Sequence, residues 1–282
     1  MPEMMAVTLV DVGWGDCILI ESENAAGDRR YGLIDCNDTI NQQSGLLFVK
    51  RYLERSGRRD WKDFKPNFEW VLLTHGHADH ARGLKAMMST FGTKNFWYPK
   101  SVASTTHGSL IKFANRATTS VKNHQAIDST KMLNSLIDFD PVEIDVLWPD
   151  DGAIDNNNEN NNSVVLVLTL GAVSFVLTGD AEANNWDVLV NRLPNPVDLF
   201  QVPHHGGRNG LFDDADNTPW LDHLDSADTA IAMSSHIVPH DHPHDDVVNA
   251  LTGANFNTRR TDKNYHLRFS TDGVAVSPGW WR

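Results

Sequence analysis

The chain has 282 residues, 40% of them hydrophobic, enough to bury one large core or two moderate ones. No run of about 18 apolar residues occurs, so no bilayer span is expected, and the opening Met-Pro-Glu-Met-Met shows neither the basic nor the apolar region of a secretory signal. A formal net charge of −13 argues against a surface built for general nucleic-acid binding, which normally presents a basic face. A local groove stays open to the pairs Arg29-Arg30, Arg58-Arg59 and Arg259-Arg260, each also readable as solvated charge. The two cysteines, Cys17 and Cys36, imply no disulfide framework and read as buried free thiols. A cytoplasmic location follows by default.

In chain order, residues 6–22 read as strand, glycine-marked turn, strand, with Gly13 and Gly15 letting the backbone turn tightly against other segments. A third strand runs from Tyr31 to Asp35, and an amphipathic helix covers 44–57. The apolar run Trp70-Val-Leu-Leu73 then stops abruptly in Thr-His75-Gly-His77-Ala-Asp79-His80, the pattern of a buried strand delivering a turn. Asp79 is placed to cap a helix running from about His80 through Leu84, Met87 and Met88. Three imidazoles and a carboxylate within six residues are the ligand types that a dication such as zinc prefers.

A short strand at Asn95–Tyr98 follows, then helices over 108–124 and 129–137, and a strand at Val142–Trp148. Residues 150–162, rich in Asp, Gly and Asn, read as a mobile loop. Strands at 163–170 and 173–177 lead to Thr178-Gly-Asp180, where a carboxylate at the end of a buried strand is costly unless paired or metal-bound. A helix is expected over 181–193, and a strand at 197–202 delivers Pro203-His204-His205-Gly. On a continuing strand those two histidines would face opposite ways and do different jobs, unless the turn has begun. A strand at 228–233 leads into a segment carrying His236, His240, His242 and His244, then a helix over 243–251 and strands near 257–261, 266–270 and 274–277.

His75-x-His77-x-Asp79-His80 after a hydrophobic strand resembles the signature of the metallo-β-lactamase-fold hydrolases. Asp11-Val-Gly-Trp-Gly-Asp16-Cys-Ile-Leu-Ile with Leu-Ile-Asp35 is similar to the branch holding the soluble hydrolase domain of ComEC-type competence proteins and its stand-alone relatives. Asp11 and Asp16 read there either as turn-formers under the site or as substrate-facing carboxylates. The resemblance implies an α/β fold, an αββα four-layer sandwich occupied by residues 1–282 as one domain, which the strand-rich halves also suit.

By the same resemblance, His75 and His77 hold one metal, Asp79, His80 and His205 hold the other, and Asp180 bridges. The order of His204 and His205 stays open. The cofactor implied is zinc, two ions, with Mn2+ or another dication as the alternative. Asp79 would also orient a hydroxide that the metals make available near neutral pH. His204 or His242, the latter matching a His-Pro element before the last helix, would protonate a leaving oxygen or hydrogen-bond an oxyanion. Many members carry a further metal histidine before the bridging aspartate; here Asn161-Asn162-Ser163 stands in the comparable place, so the first metal would take water, an amide oxygen or substrate instead. The expectation is a metal-dependent phosphodiesterase or nuclease acting on a phosphodiester such as DNA, without a membrane or an inferable protein partner. The alternatives are hydrolysis of a small phosphodiester (phosphocholine-type or cyclic nucleotide) or other ester, and a catalytically weak binding domain.

Overall fold

The computed structural model describes residues 2–57, 60–63, 65–100 and 105–281. The strands are β1 (Met4–Leu9), β2 (Ile18–Glu23), β3 (Arg29–Ile34), β4 (Phe68–Leu72), β5 (Thr93–Pro99), β6 (Val121–Ile127), β7 (Glu143–Trp148), β8 (Val165–Leu170), β9 (Val173–Leu177), β10 (Leu199–Gln201), β11 (Ala230–Met233), β12 (Thr258–Arg260), β13 (His266–Thr271) and β14 (Val276–Trp281). They form an eight-stranded sheet, ordered β14-β13-β1-β2-β3-β4-β5-β6, and a six-stranded sheet, ordered β12-β11-β10-β9-β8-β7. The helices are α1 (Ser44–Arg55), α2 (Ala78–Ala81), α3 (Leu84–Phe91), α4 (Thr105–Arg116), α5 (Ala183–Leu189), α6 (Arg208–Leu211), α7 (Asp245–Gly253) and α8 (Thr261–Asn264).

Alternation along the strands explains the layering. Ile18 and Ile20 of β2 and Leu166 and Leu168 of β8 meet in a core between the two sheets. Their neighbours point outward: Leu19 packs with Phe48 and Val49 of α1 and Met87 of α3, and Val165 and Val167 pack with Trp186 of α5 and Leu251 of α7. Two sheets with both outer faces covered by helices make the expected αββα sandwich. No helix among the described residues is long and apolar enough to cross a membrane.

Strands β3 to β6 run parallel, as do β9 to β12, each set within its own sheet. The turns after β4, β9, β10 and β11 carry the motif residues. Close packing supports this arrangement. Gly32 of β3 lies against Trp70 of β4, where an added Cβ would fall 2.2 Å from the indole ring. Gly32→Ala is therefore expected to destabilise the fold by about 1–3 kcal/mol through overpacking, measured by denaturant unfolding; an unchanged midpoint would show that the Trp70 ring can move aside.

Four sequence expectations need correction. The segment 108–124 is not one helix, because Val121 onward pairs with β5 and that sheet contact outweighs local helical preference. Residues 129–137 form only a 3-10 turn at Leu133–Ser135; the Asn134 side chain accepts the Ile144 amide instead, 2.8 Å away. The helix expected from His80 through Met88 is broken into α2 and α3 at Arg82-Gly83. The Asn-rich loop is tied down by its own side chains: Asp155 accepts from the amides of Asn157 and Asn158 and from Asn161 Nδ2, and Glu159–Asn162 close a 3-10 turn.

Candidate metal centre

The turn after β4 is built around Asp35, which is fully buried where β3 ends. Its carboxylate accepts from the Thr74 amide (2.8 Å), the Thr74 hydroxyl (2.5 Å) and His80 Nδ1 (2.7 Å). His80 Nε2 is thereby aimed at the opposite side, 3.2 Å from Asp180 Oδ1 and 3.1 Å from His205 Nε2. Gly15, at φ +91°, packs so closely on this turn that a Cβ would fall 2.3 Å from the Asp79 carbonyl oxygen. Asp79 does not cap a helix: the cap position is His77, and no side chain caps it. The Asp79 carboxylate instead turns into the cluster, with Oδ2 3.6 Å from His205 Nε2 and 3.7 Å from His80 Nε2.

Asp180 arrives at the end of β9 through Gly179, and its amide donates to Ser163 Oγ. The β10 strand ends before the histidine pair, so the turn has already begun. His204 and His205 both have positive φ (52° and 55°) inside a 3-10 turn, and both reach Asp180, at 3.7 Å and 3.4 Å. They differ in their other nitrogens. His205 Nδ1 donates to the Ser234 carbonyl (3.0 Å), which leaves the Nε2 lone pair facing the cluster. His204 Nδ1 faces Glu182 at 3.7 Å.

Besides the fully buried set Asp16, Asp35 and His80, two donor groups result, each with its atoms mutually within 4.8 Å: Asp79, His80, Asp180 and His205, and His75, His77 and Asp180. Asp180 belongs to both. His242 stands beyond them, its ring 5.3 Å from that of His204 and 6.5 Å from that of His205. Of the remaining histidines, His236 and His240 line the pocket mouth, while His244 bonds the amide of Asp246 at the start of α7. His107 and His124 pack against Tyr98 and belong to neither group.

The electrostatics of the cluster favour positive charge. Burial opposes protonation of His80, but Asp180, Asp35 and Asp79 outweigh it and hold its pKa well above the usual value. His205 is likewise raised, to about 9, by Asp180 and Asp79 against its burial. Burial and the neighbouring His80 instead push His75 well below the usual range. Asp180, despite its burial, is held well below the ordinary carboxylate range by His80, His205 and His204. His75 Nε2 and Asp180 Oδ1 are buried without a hydrogen-bond partner. Buried acids, neutral imidazole lone pairs and unpartnered donor atoms converging on two points fit a pair of bound dications.

The sequence reads Asp35 as a strand-end acid and Asp16 as either a turn-former under the site or a substrate-facing carboxylate. Both lie behind imidazoles of the cluster: Asp16, held by Gln201 Nε2 at 2.9 Å, lies 3.9 Å from His205 Nδ1 and 4.0 Å from His80 Nδ1. Carboxylates behind ligating histidines commonly contribute a factor of about 10–100 in metal affinity. Asp35→Asn is expected to weaken dication binding by that factor, read by titration of metal-free protein; unaltered affinity would reduce Asp35 to a folding role.

Sandwich and site together define a class, and the comparisons agree with it. Residues 49–225 match the metallo-beta-lactamase superfamily, and the chain belongs to it. Members of that superfamily are generally metal-dependent hydrolases. Among individual relatives, ComE operon protein 3 of Bacillus subtilis (strain 168) is 25% identical over 269 residues, 93% of this chain and 32% of that protein. The chain thus spans about a third of that relative's length. Among solved structures, the metallo-beta-lactamase fold protein YhfI from Bacillus subtilis aligns over 98% of this chain and 100% of its own, with a TM-score of 0.54 and 13% identity.

Proposed function

We propose that the protein is a binuclear metal-dependent phosphodiesterase. The observation that carries the reading is the sharing of Asp180 between two donor groups, His75/His77 and Asp79/His80/His205. Two dications held there, zinc or Mn2+, would supply Lewis acidity to a water nucleophile and to a phosphoryl oxygen. The chain's own residues then divide the remaining work. Asp79 Oδ2 orients the nucleophile, while His204 and His242, on the open side of Asp180, face the oxygens of the scissile group. Burial, with His204 and His205 nearby, lowers the pKa of His242 to about 4, so it offers a neutral imidazole N–H to a developing oxyanion.

The pocket, about 530 Å³, is lined by Trp14, Asn209 and six histidines among others, and includes no Lys or Arg among the described residues. A phosphomonoester, with a charge near −2 at neutral pH, would find no side-chain cation in that lining for its second charge; a diester, with one charge, asks for none. At the rim Trp14 meets His240 edge to face, 5.1 Å apart, and carries the Arg82 guanidinium over its ring at 5.3 Å, aromatic and guanidinium planes on which a nucleobase can stack. The second reading, a small phosphodiester, has its own support. The basic pairs considered for a nucleic-acid groove are engaged elsewhere: Arg29 with Glu23, Arg30 with Asp138 and Arg260 with Asp262. Arg259 lies over Phe269, and Arg58-Arg59 lie outside the described residues.

The test compares bis(p-nitrophenyl) phosphate with p-nitrophenyl phosphate, then oligodeoxynucleotides with cyclic nucleotides. Diester turnover should exceed monoester turnover. Faster monoester turnover, or none with any diester in protein carrying two ions, refutes the proposal. His242→Ala should lower diester kcat by about a hundredfold with metal content retained; unchanged kinetics would end its assigned role.

A further inference from the structure

The two donor groups are unequal. One offers Asp79, His80, Asp180 and His205; the other offers only His75, His77 and Asp180. We infer that the Oδ1 atom of Asn160 completes the smaller group, so that a side-chain amide oxygen serves as the fourth protein ligand of the first dication.

Asn160 is 7% exposed and lines the same pocket as His77 and Asp180. Its Oδ1 is buried with no hydrogen-bond partner. The orientation of the amide is determined by its neighbour. Nδ2 donates to Glu182 Oε1 at 2.8 Å, and a carboxylate accepts only from the nitrogen, so the oxygen must face the other way. Glu182 is itself held in place by Asn158 Nδ2 (2.7 Å) and Asn209 Nδ2 (2.6 Å).

The backbone around Asn160 is pinned to both parts of the site. Next to it, Glu159 Oε1 accepts the amide of Gly76, the residue between His75 and His77. Ser163, closing the same 3-10 turn, accepts the amide of Asp180, and Val164 donates to the Thr74 carbonyl. The turn Glu159–Asn162 is therefore wedged between the histidine motif and the shared aspartate. Asn162 Oδ1 is occupied by the Asp155 amide at 2.8 Å; Asn161 Oδ1 is also buried without a partner, but that side chain lines a separate hollow with Trp148 and Asp155 rather than the pocket of His77 and Asp180. The sequence sets Asn161-Asn162-Ser163 in the place of the missing histidine and leaves water, an amide oxygen or substrate open as the ligand; the ligand assigned is the amide oxygen, from Asn160.

A neutral amide oxygen is a harder and weaker ligand than imidazole or carboxylate, and carbonyl oxygen suits Mn2+ better than it suits zinc. The first site should therefore bind more weakly than the second and accept Mn2+ readily. This inference rests on the two-metal reading above.

The experiment titrates metal-free wild type, Asn160→Ala and Asn160→Asp with Mn2+ and with Zn2+, counting bound ions by plasma mass spectrometry after gel filtration. Circular dichroism confirms that each variant is folded. Wild type should take two ions with distinct affinities. Asn160→Ala should keep the tighter one and weaken the other at least about tenfold. Asn160→Asp, which preserves shape but sets a second carboxylate against Glu182, should shift the affinity of that same site alone by at least about tenfold, and also carries the test if the alanine variant fails to fold. Two ions bound by Asn160→Ala with wild-type affinities, or Asn160→Asp leaving the weaker site unaltered, overturns the assignment alone. A wild type that binds no dication overturns the two-metal reading together with it.

Discussion

Replacing Asp180 with asparagine is expected to lower diesterase turnover by about a thousandfold or more and to reduce bound metal from two ions to one or none. Asp180 is 2% exposed and stands 3.2 Å from His80, 3.4 Å from His205 and 3.7 Å from both His75 and His204. Among the described residues, no other side chain belongs to both the His75/His77 group and the Asp79/His80/His205 group. Asparagine keeps the shape and removes the charge, so the loss would not be a packing effect. The amide would also aim an N–H toward imidazoles that need acceptors. Metal content by plasma mass spectrometry and kcat on a diester check it together. Full turnover with two ions retained would remove Asp180 from the bridging position and leave the two groups independent.

Removing the metal is expected to have the largest effect on stability. Asp16, Asp35 and Asp180 are all almost fully buried and converge with Asp79 on the same imidazoles. Buried anions are costly when uncompensated. Protons on His80 and His205 offset part of that cost, and a dication adds binding free energy by mass action. An ion at a hundred times its dissociation constant contributes about 2.7 kcal/mol. For a chain of 282 residues that corresponds to a Tm lower by roughly 5 °C for each ion removed by chelation. Differential scanning calorimetry with a chelator, followed by re-addition of Zn2+ or Mn2+, measures it. A Tm unmoved by both treatments would falsify a resident metal.

The metal motif was legible because its parts are local. His75, His77, Asp79 and His80 lie within one turn, and the apolar run before them announces the strand. Asp180 and His205 were readable for a related reason: each closes a short buried strand, where a polar residue demands an explanation. The supporting residues were not legible. Asp35 meets His80 across 45 positions and Asp16 meets Gln201 across 185, separations that no pattern of spacing encodes. Asn160 was hidden by its surroundings, since six of the seven residues from Asn156 to Asn162 are asparagine and composition cannot tell which one turns inward.

By itself, then, the sequence determined the strand-and-helix alternation that builds two covered sheets, and the identity of the histidines and aspartates at the strand ends. Both follow from short-range physics: the two-residue period of strands, and the cost of burying a charge without a partner. The tertiary structure alone decided which nitrogen of each imidazole faces inward and that His204 and His205 share one turn. It also decided that Glu182 directs the amide of Asn160. Those outcomes depend on hydrogen bonds between segments brought together only by the packing of the sandwich.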